Sequence, residues 1–169
     1  MKETRICIIG GGSRLWAIQF FKDLAYNKMT HGTVVLHDID HKAAMNNVAV
    51  GEQTFRVNDS EGRFKFIAED NLEKALEGVD LVIISIEPGN IECRKGDLLL
   101  PEEYGILQSV GDTTGPGGIM RARRALPFFF EFAKAIKKVC PDAWVINYTN
   151  PMTLCTAALY KAFFMSSER

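Results

Sequence analysis

The chain has 169 residues, 47% of them hydrophobic and 24% charged, enough for one domain with a substantial core. Twenty Lys and Arg against 21 Asp and Glu give a net charge of −1, which offers no basis for a nucleic-acid or polyanion binder. No apolar run is long enough to span a bilayer, and Met1–Arg5 leads into a strand pattern without signal-peptide architecture, so no membrane partner is expected.

Short β-branched runs alternate with longer helical patterns, the signature of βαβ units around a parallel sheet. Arg5–Ile9 reads as a strand ending in Gly10-Gly11-Gly12. Ser13 then caps a helix with apolar positions at Leu15, Trp16, Phe20 and Leu24. Thr33–Leu36 is a second strand, ending at His37-Asp38-Ile39-Asp40, and Asp40 caps the helix that follows. Phe64–Ile67 is a third strand, and Asp70 or Asn71 opens a short helix through Leu72 and Leu76. Asp80–Ile86 is continuously apolar, as expected of a strand covered on both faces. From Glu87 to Gly118 three of the six prolines and several glycines occur with little periodicity, which predicts a long functional or mobile loop. A helix is expected from about Ile119 to Val139, kinked or split at Pro127. Ala143–Tyr148 is a further strand, followed by Thr149-Asn150-Pro151-Met152 and a last helix. The fold class is therefore α/β, a Rossmann-like doubly wound parallel sheet, with residues 1–169 taken as one domain.

Cys7, Cys93, Cys140 and Cys155 lie far apart without a C-x-x-C pair, which fits reduced thiols and a cytoplasmic location. His31, His37 and His41 cluster but lack ligand spacing, so no metal ligand is assigned.

Gly10-Gly11-Gly12-Ser13 sits between the first strand and the first helix, where a dinucleotide fold places its phosphate loop. Gly10 permits the turn, Gly12 lets the backbone approach a pyrophosphate, and the helix start supplies N–H groups and a positive dipole end. The usual third glycine is absent, with Leu15 in its place. Asp38 ends the second strand, where a carboxylate accepts from both ribose hydroxyls and repels a 2′-phosphate, so NAD is expected over NADP. A tight βα turn with Asp38 and Asp40 as turn and cap residues is the plainer alternative.

Two further segments are more distinctive: Gly111-Asp112-Thr113-Thr114-Gly115-Pro116-Gly117-Gly118, running into Ile119-Met120-Arg121-Ala122, and Trp144–Met152 (WVINYTNPM). With the glycine loop and the Asp38-Ile39-Asp40 strand end, in this order, they make the chain resemble the family 4 glycoside hydrolases from residue 5 to about 163. The Gly-Asp-Thr segment is similar to the branch acting on unphosphorylated sugars, alpha-galacturonidases first and then alpha-galactosidases and alpha-glucosidases. Arg94 points the other way, because the phospho-glycosidase members carry an arginine there.

The resemblance implies NAD and a divalent metal, usually manganese, as cofactors. NAD would oxidise the sugar's C3 hydroxyl, the ketone would acidify the C2 proton, and the aglycone would leave from C1 by elimination. Manganese would act as a Lewis acid on the C2 and C3 oxygens. This departs from the usual pair of carboxylates in glycoside hydrolysis. Asn150 matches a residue that contacts substrate hydroxyls near the nicotinamide, unless it only stabilises the X-Pro turn. Asp112 matches an acidic position beside the scissile bond, or else is a loop carboxylate capping nearby N–H groups. Arg94 meets a substrate anion such as a uronate carboxylate, or is a solvated surface arginine.

In complete members a further strand, a Cys-His segment and a large C-terminal region follow, carrying the metal ligands, the C2 base and much of the dimer contact. The stretch from Phe164 to Arg169 matches nothing in that pattern. The chain is accordingly expected to be an N-terminal part, inactive as a glycosidase by itself, with manganese relevant only to a complete member. Leu98, Leu99, Leu154 and Leu159 are expected to be partly exposed and to drive self-association into a homo-oligomer. A lactate- or malate-type dehydrogenase and a non-catalytic nucleotide-binding module are the alternative readings. The former is disfavoured by Gly-Pro-Gly-Gly and by the lack of a suitably placed histidine.

Overall fold

The computed structural model describes residues 3–164. The chain divides into two compact units, one of Met1–Ile86 with Lys138–Ile146 and one of Glu87–Lys137 with Asn147–Arg169.

The first unit is built on a five-stranded sheet. Its strands are β1 (Thr4–Ile9), β2 (Gly32–His37), β3 (Phe64–Ala68), β4 (Leu81–Ile84) and β5 (Trp144–Asn147) in the order β3-β2-β1-β4-β5. The pairings of β1 with β2, β1 with β4 and β2 with β3 are parallel, with Ile6 opposite Val34 on one side and Leu81 on the other. Helices α1 (Trp16–Tyr26), α2 (His41–Val57) and α3 (Leu72–Leu76) make the connections.

Side chains alternate across a strand, so Ile6 and Ile8 face one way and Cys7 and Ile9 the other. All four are buried, and this two-sided burial is what the unbroken apolar runs predict. On the α1–α2 side, Phe21 and Phe55 meet Phe66 edge-on at centroid distances of 5.1 and 5.2 Å, in a cluster with Ile6, Ile8 and Val34. Asp80 fixes the start of β4, its Oδ2 accepting from the Arg5 N–H at 2.9 Å.

The second unit contains α4 (Ile91–Leu99), a 3-10 helix (Leu100–Tyr104), α6 (Met152–Phe164) and nearly all of α5 (Gly115–Val139). The long loop expected from Glu87 to Gly118 is thus largely helical. Asn90 caps α4 by accepting from the Cys93 N–H at 2.9 Å, and Pro101 occupies the first turn of the 3-10 helix. Periodicity over nine residues broken by Gly96 is too short a signal to register in sequence. Helix α5 starts at Gly115, earlier than expected, and continues through Pro127 without a break. Ala122, Ala125, Phe129, Phe132 and Ile136 form its buried stripe. Of the leucines expected at the surface, Leu99 and Leu154 are exposed and Leu98 is half-buried. Leu159 is buried, because it lies on the same α6 face as Cys155 and Ala158. The unmatched tail from 165 to 169 lies outside the described residues. Among the described residues no helix is long and apolar enough to cross a membrane.

Candidate functional site

The glycine loop leaves β1 at the centre of the sheet. The His37 carbonyl, at the end of β2, accepts from both Gly10 N–H (2.9 Å) and Gly11 N–H (3.0 Å). Gly10 has φ +95°, and a Cβ there would lie 1.9 Å from the Ser85 carbonyl oxygen, so no other residue fits. Gly12 donates its N–H to Asp38 Oδ2 at 2.9 Å, and a Cβ on Gly12 would meet that same oxygen at 2.9 Å. The requirement for glycine at position 12 therefore includes close approach of the Asp38 carboxylate. Ser13 Oγ accepts from the Trp16 N–H at 3.1 Å and so ties the loop to the start of α1.

Asp38 is half-buried, and its Oδ1 accepts from the Asp40 N–H at 2.9 Å. Asp40 in turn caps α2 through the Ala43 N–H at 3.0 Å. From inside α2, Asn47 donates its carboxamide hydrogens to the carbonyls of Gly11 (2.8 Å) and Ser13 (3.0 Å). The chain runs outward from β1 to β2 and β3, then returns to β4 beside β1. Beyond the carboxyl ends of β1 and β4 lies the switch point where open α/β sheets take their ligands. A carboxylate has about four lone-pair sites and Asp38 uses two, so it can still accept from a ribose diol. These residues fit a dinucleotide.

The second unit holds a different cluster. Arg121, on α5, has a side chain only 8% exposed and reaches two carboxylates with its two terminal nitrogens. Nη1 donates to Asp112 Oδ1 and Nη2 to Glu87 Oε2, the latter at 2.5 Å. Asp112 Oδ2 accepts from Asn150 Nδ2 at 3.3 Å. Arg94, on α4, lies 4.0 Å from Glu87 through its Nη1. The peptide before Pro151 is cis, and Asn147 Oδ1 accepts from the Thr149 N–H at 2.8 Å within the same turn. A small recess is lined by Arg94, Asp97, Leu98, Gly111, Asp112 and Arg121. Arg124 pairs with Asp97 beside it, and that hydrogen bond raises the guanidinium above its ordinary pKa.

Of the residues singled out in sequence, Gly10, Gly11, Gly12, Ser13 and Asp38 come together in the first unit. Asp112, Asn150 and Arg94 come together in the second. Asn47, Glu87 and Arg121 were missed. Arg121 had a signal, since it stands four and eight residues before the buried Ala125 and Phe129. Asn47 had one as well, between the buried Ala44 and Gly51.

All four cysteines are free thiols. Burial pushes Cys7 up to about 12 and Cys155 up to about 11. Among the described residues no three His, Cys, Asp or Glu side chains gather as metal ligands. The described residues therefore offer no fitting set of manganese ligands.

A family model described as family 4 glycosyl hydrolase matches residues 5–167, so the likeness runs past Phe163. An alpha-galacturonidase from Thermoanaerobacterium saccharolyticum is 52% identical over 161 residues, 95% of this chain and 35% of that protein. The crystal structure of lplD from Bacillus subtilis is 47% identical with a TM-score of 0.90, over 96% of this chain and 36% of that one. A 6-phospho-beta glucosidase from Thermotoga maritima, solved with manganese, NAD+ and glucose-6-phosphate, is 29% identical with a TM-score of 0.73, over 88% of this chain and 35% of that one. The chain thus spans about a third of the length of the relatives it matches. Neither the dehydrogenase reading nor the non-catalytic module is favoured by these matches.

Proposed function

The chain belongs to the family 4 glycosyl hydrolases, and on that premise we propose that it binds NAD in its first unit and forms the cofactor-binding part of an alpha-galacturonidase-like glycosidase. The observation that carries the cofactor reading is Asp38, held at the end of β2 by the Gly12 and Asp40 N–H groups. So oriented, the carboxylate accepts from the ribose hydroxyls and repels a 2′-phosphate. The positive dipole end of α1 favours the pyrophosphate. Titrating the chain with NAD and NADP by calorimetry tests this. NAD should bind with clear preference, and equal or reversed affinity overturns the assignment.

NAD, when bound, supplies a hydride acceptor for the sugar's C3 hydroxyl, and the protein supplies position. In this reading Asn150 holds a sugar hydroxyl through the part of its carboxamide that Asp112 does not engage. Asp112 fixes the orientation of Asn150 and stands ready to assist the leaving group or orient water. Arg94, the more exposed of the two arginines lining the recess, meets a uronate carboxylate. The galacturonide is favoured by relatives of that name at 47–52% identity. In a complete relative, Asn150→Ala should slow turnover more than it weakens NAD binding. A loss confined to NAD affinity would remove Asn150 from the sugar site.

We place the protein in the cytoplasm on the usage of its cysteines, buried or half-buried as free thiols. A homo-oligomer is supported by exposed Met152, Leu154 and Tyr160 on α6. Light scattering across a concentration series decides it, and a constant monomer mass would refute it.

A further inference from the structure

Asn47 is one of few polar residues buried in the first unit, 7% exposed and surrounded on α2 by Ala44, Gly51 and Phe55 as fellow buried positions. A carboxamide in such a place must satisfy its donors, and Asn47 does so on two carbonyls of the glycine loop, those of Gly11 and Ser13. In a trans peptide the C=O and N–H groups point in opposite directions. Drawing the Gly11 carbonyl toward α2 therefore turns the Gly12 N–H away from it, and that N–H is the one donated to Asp38. By the same geometry, drawing in the Ser13 carbonyl turns the Arg14 N–H outward, at the entrance to α1.

We propose that Asn47 is a positioning residue for the cofactor loop. By holding two carbonyls it sets the two peptide planes that present the Gly12 N–H to Asp38 and the Arg14 N–H to the pyrophosphate of a dinucleotide. The inference rests on the NAD reading above. It adds that the loop's conformation is imposed from α2, and that Asn47 acts more on the phosphate half of the ligand, through the Arg14 N–H, than on the adenosine half. The adenosine half depends on Asp38, whose second oxygen is held separately by the Asp40 N–H.

The test compares Asn47→Ala, Asn47→Ser and Asn47→Asp with the unaltered chain. NAD binding is followed by calorimetry, and binding of adenosine, which lacks phosphates, by NMR. Asn47→Ala removes both donors and should weaken NAD about tenfold while changing adenosine by about twofold or less. Asn47→Ser keeps one short donor and should fall between. Asn47→Asp sets a carboxylate against two carbonyl oxygens and should cost the most; if it fails to fold, the Ala and Ser variants carry the test. Unchanged NAD affinity, or equal losses for NAD and adenosine, overturns the positioning role and leaves the NAD reading intact. An unaltered chain that does not bind NAD overturns the NAD reading and this inference with it.

Discussion

The two units build their candidate sites by different means. In the first, the loop is shaped by hydrogen bonds to its peptide groups, from the His37 carbonyl, the Asn47 carboxamide and the Asp38 carboxylate. In the second, geometry depends on charge: one buried guanidinium holds two carboxylates, and one of those orients Asn150. A site of the first kind depends first on backbone shape. A site of the second kind depends first on its ion pairs.

The largest effect that would expose this contrast comes from the first unit. Gly10→Ala places a methyl against the Ser85 carbonyl at a backbone angle that alanine rarely adopts, and should cost about 4 kcal/mol or more. Chemical denaturation measures it, and a loss below about 1 kcal/mol would show that the loop is not backbone-locked. Next is Arg121→Met, which fills similar space but leaves Asp112 and Glu87 facing each other. Breaking a buried pair costs about 3–5 kcal/mol; because Glu87 is half-exposed, about 2 kcal/mol is expected. Arg121→Lys keeps the charge but has no fork to span both carboxylates. It should restore part of that stability without restoring the NMR signature of the bound Asn150 amide. Full recovery of both would show that charge alone organises the cluster.

Asp38→Asn should lower NAD affinity about tenfold and narrow the preference over NADP, with little change in stability. A retained preference in parallel titrations would shift selectivity to another residue. The smallest effect belongs to Cys7. Its thiol titrates near 9.0 when unfolded and at about 12 in the fold, where burial disfavours the thiolate. The folded chain then keeps a proton that the unfolded chain releases. Stability should fall as pH rises from about 9 toward 12, with no contribution below that window. Cys7→Ala should flatten this slope in denaturation midpoints taken at pH 8 and pH 10, and an unchanged slope would assign it elsewhere.

What could be read in advance follows the same division. β1, β2 and β4 were legible because a strand buried on both faces must be apolar throughout. The glycine loop was legible because Gly10 sits where only glycine fits. Asp38 was legible from its place at a strand end. α4 was not, since it has no fully buried residue and hence no periodic stripe to detect. Arg121 was not singled out because it stands close to Arg123 and Arg124 in sequence, and only burial on α5 sets it apart. Glu87 looked like the first residue of a loop, and only its proximity to Arg121 shows what it does. The Asp112–Asn150 contact spans 38 residues and involves no local pattern, so spacing could not predict it.

The glycine loop is held from three points, and all three lie between His37 and Asn47. The stretch from β1 to α1 therefore cannot take its shape until β2 and α2 have docked against it, 26 to 36 residues later in the chain. A nucleotide held by that loop would bind only the docked state. By mass action it would then strengthen the first unit's fold, by about 2.7 kcal/mol at a hundredfold excess over its dissociation constant. In that role a bound nucleotide would be a strut joining two successive βα units.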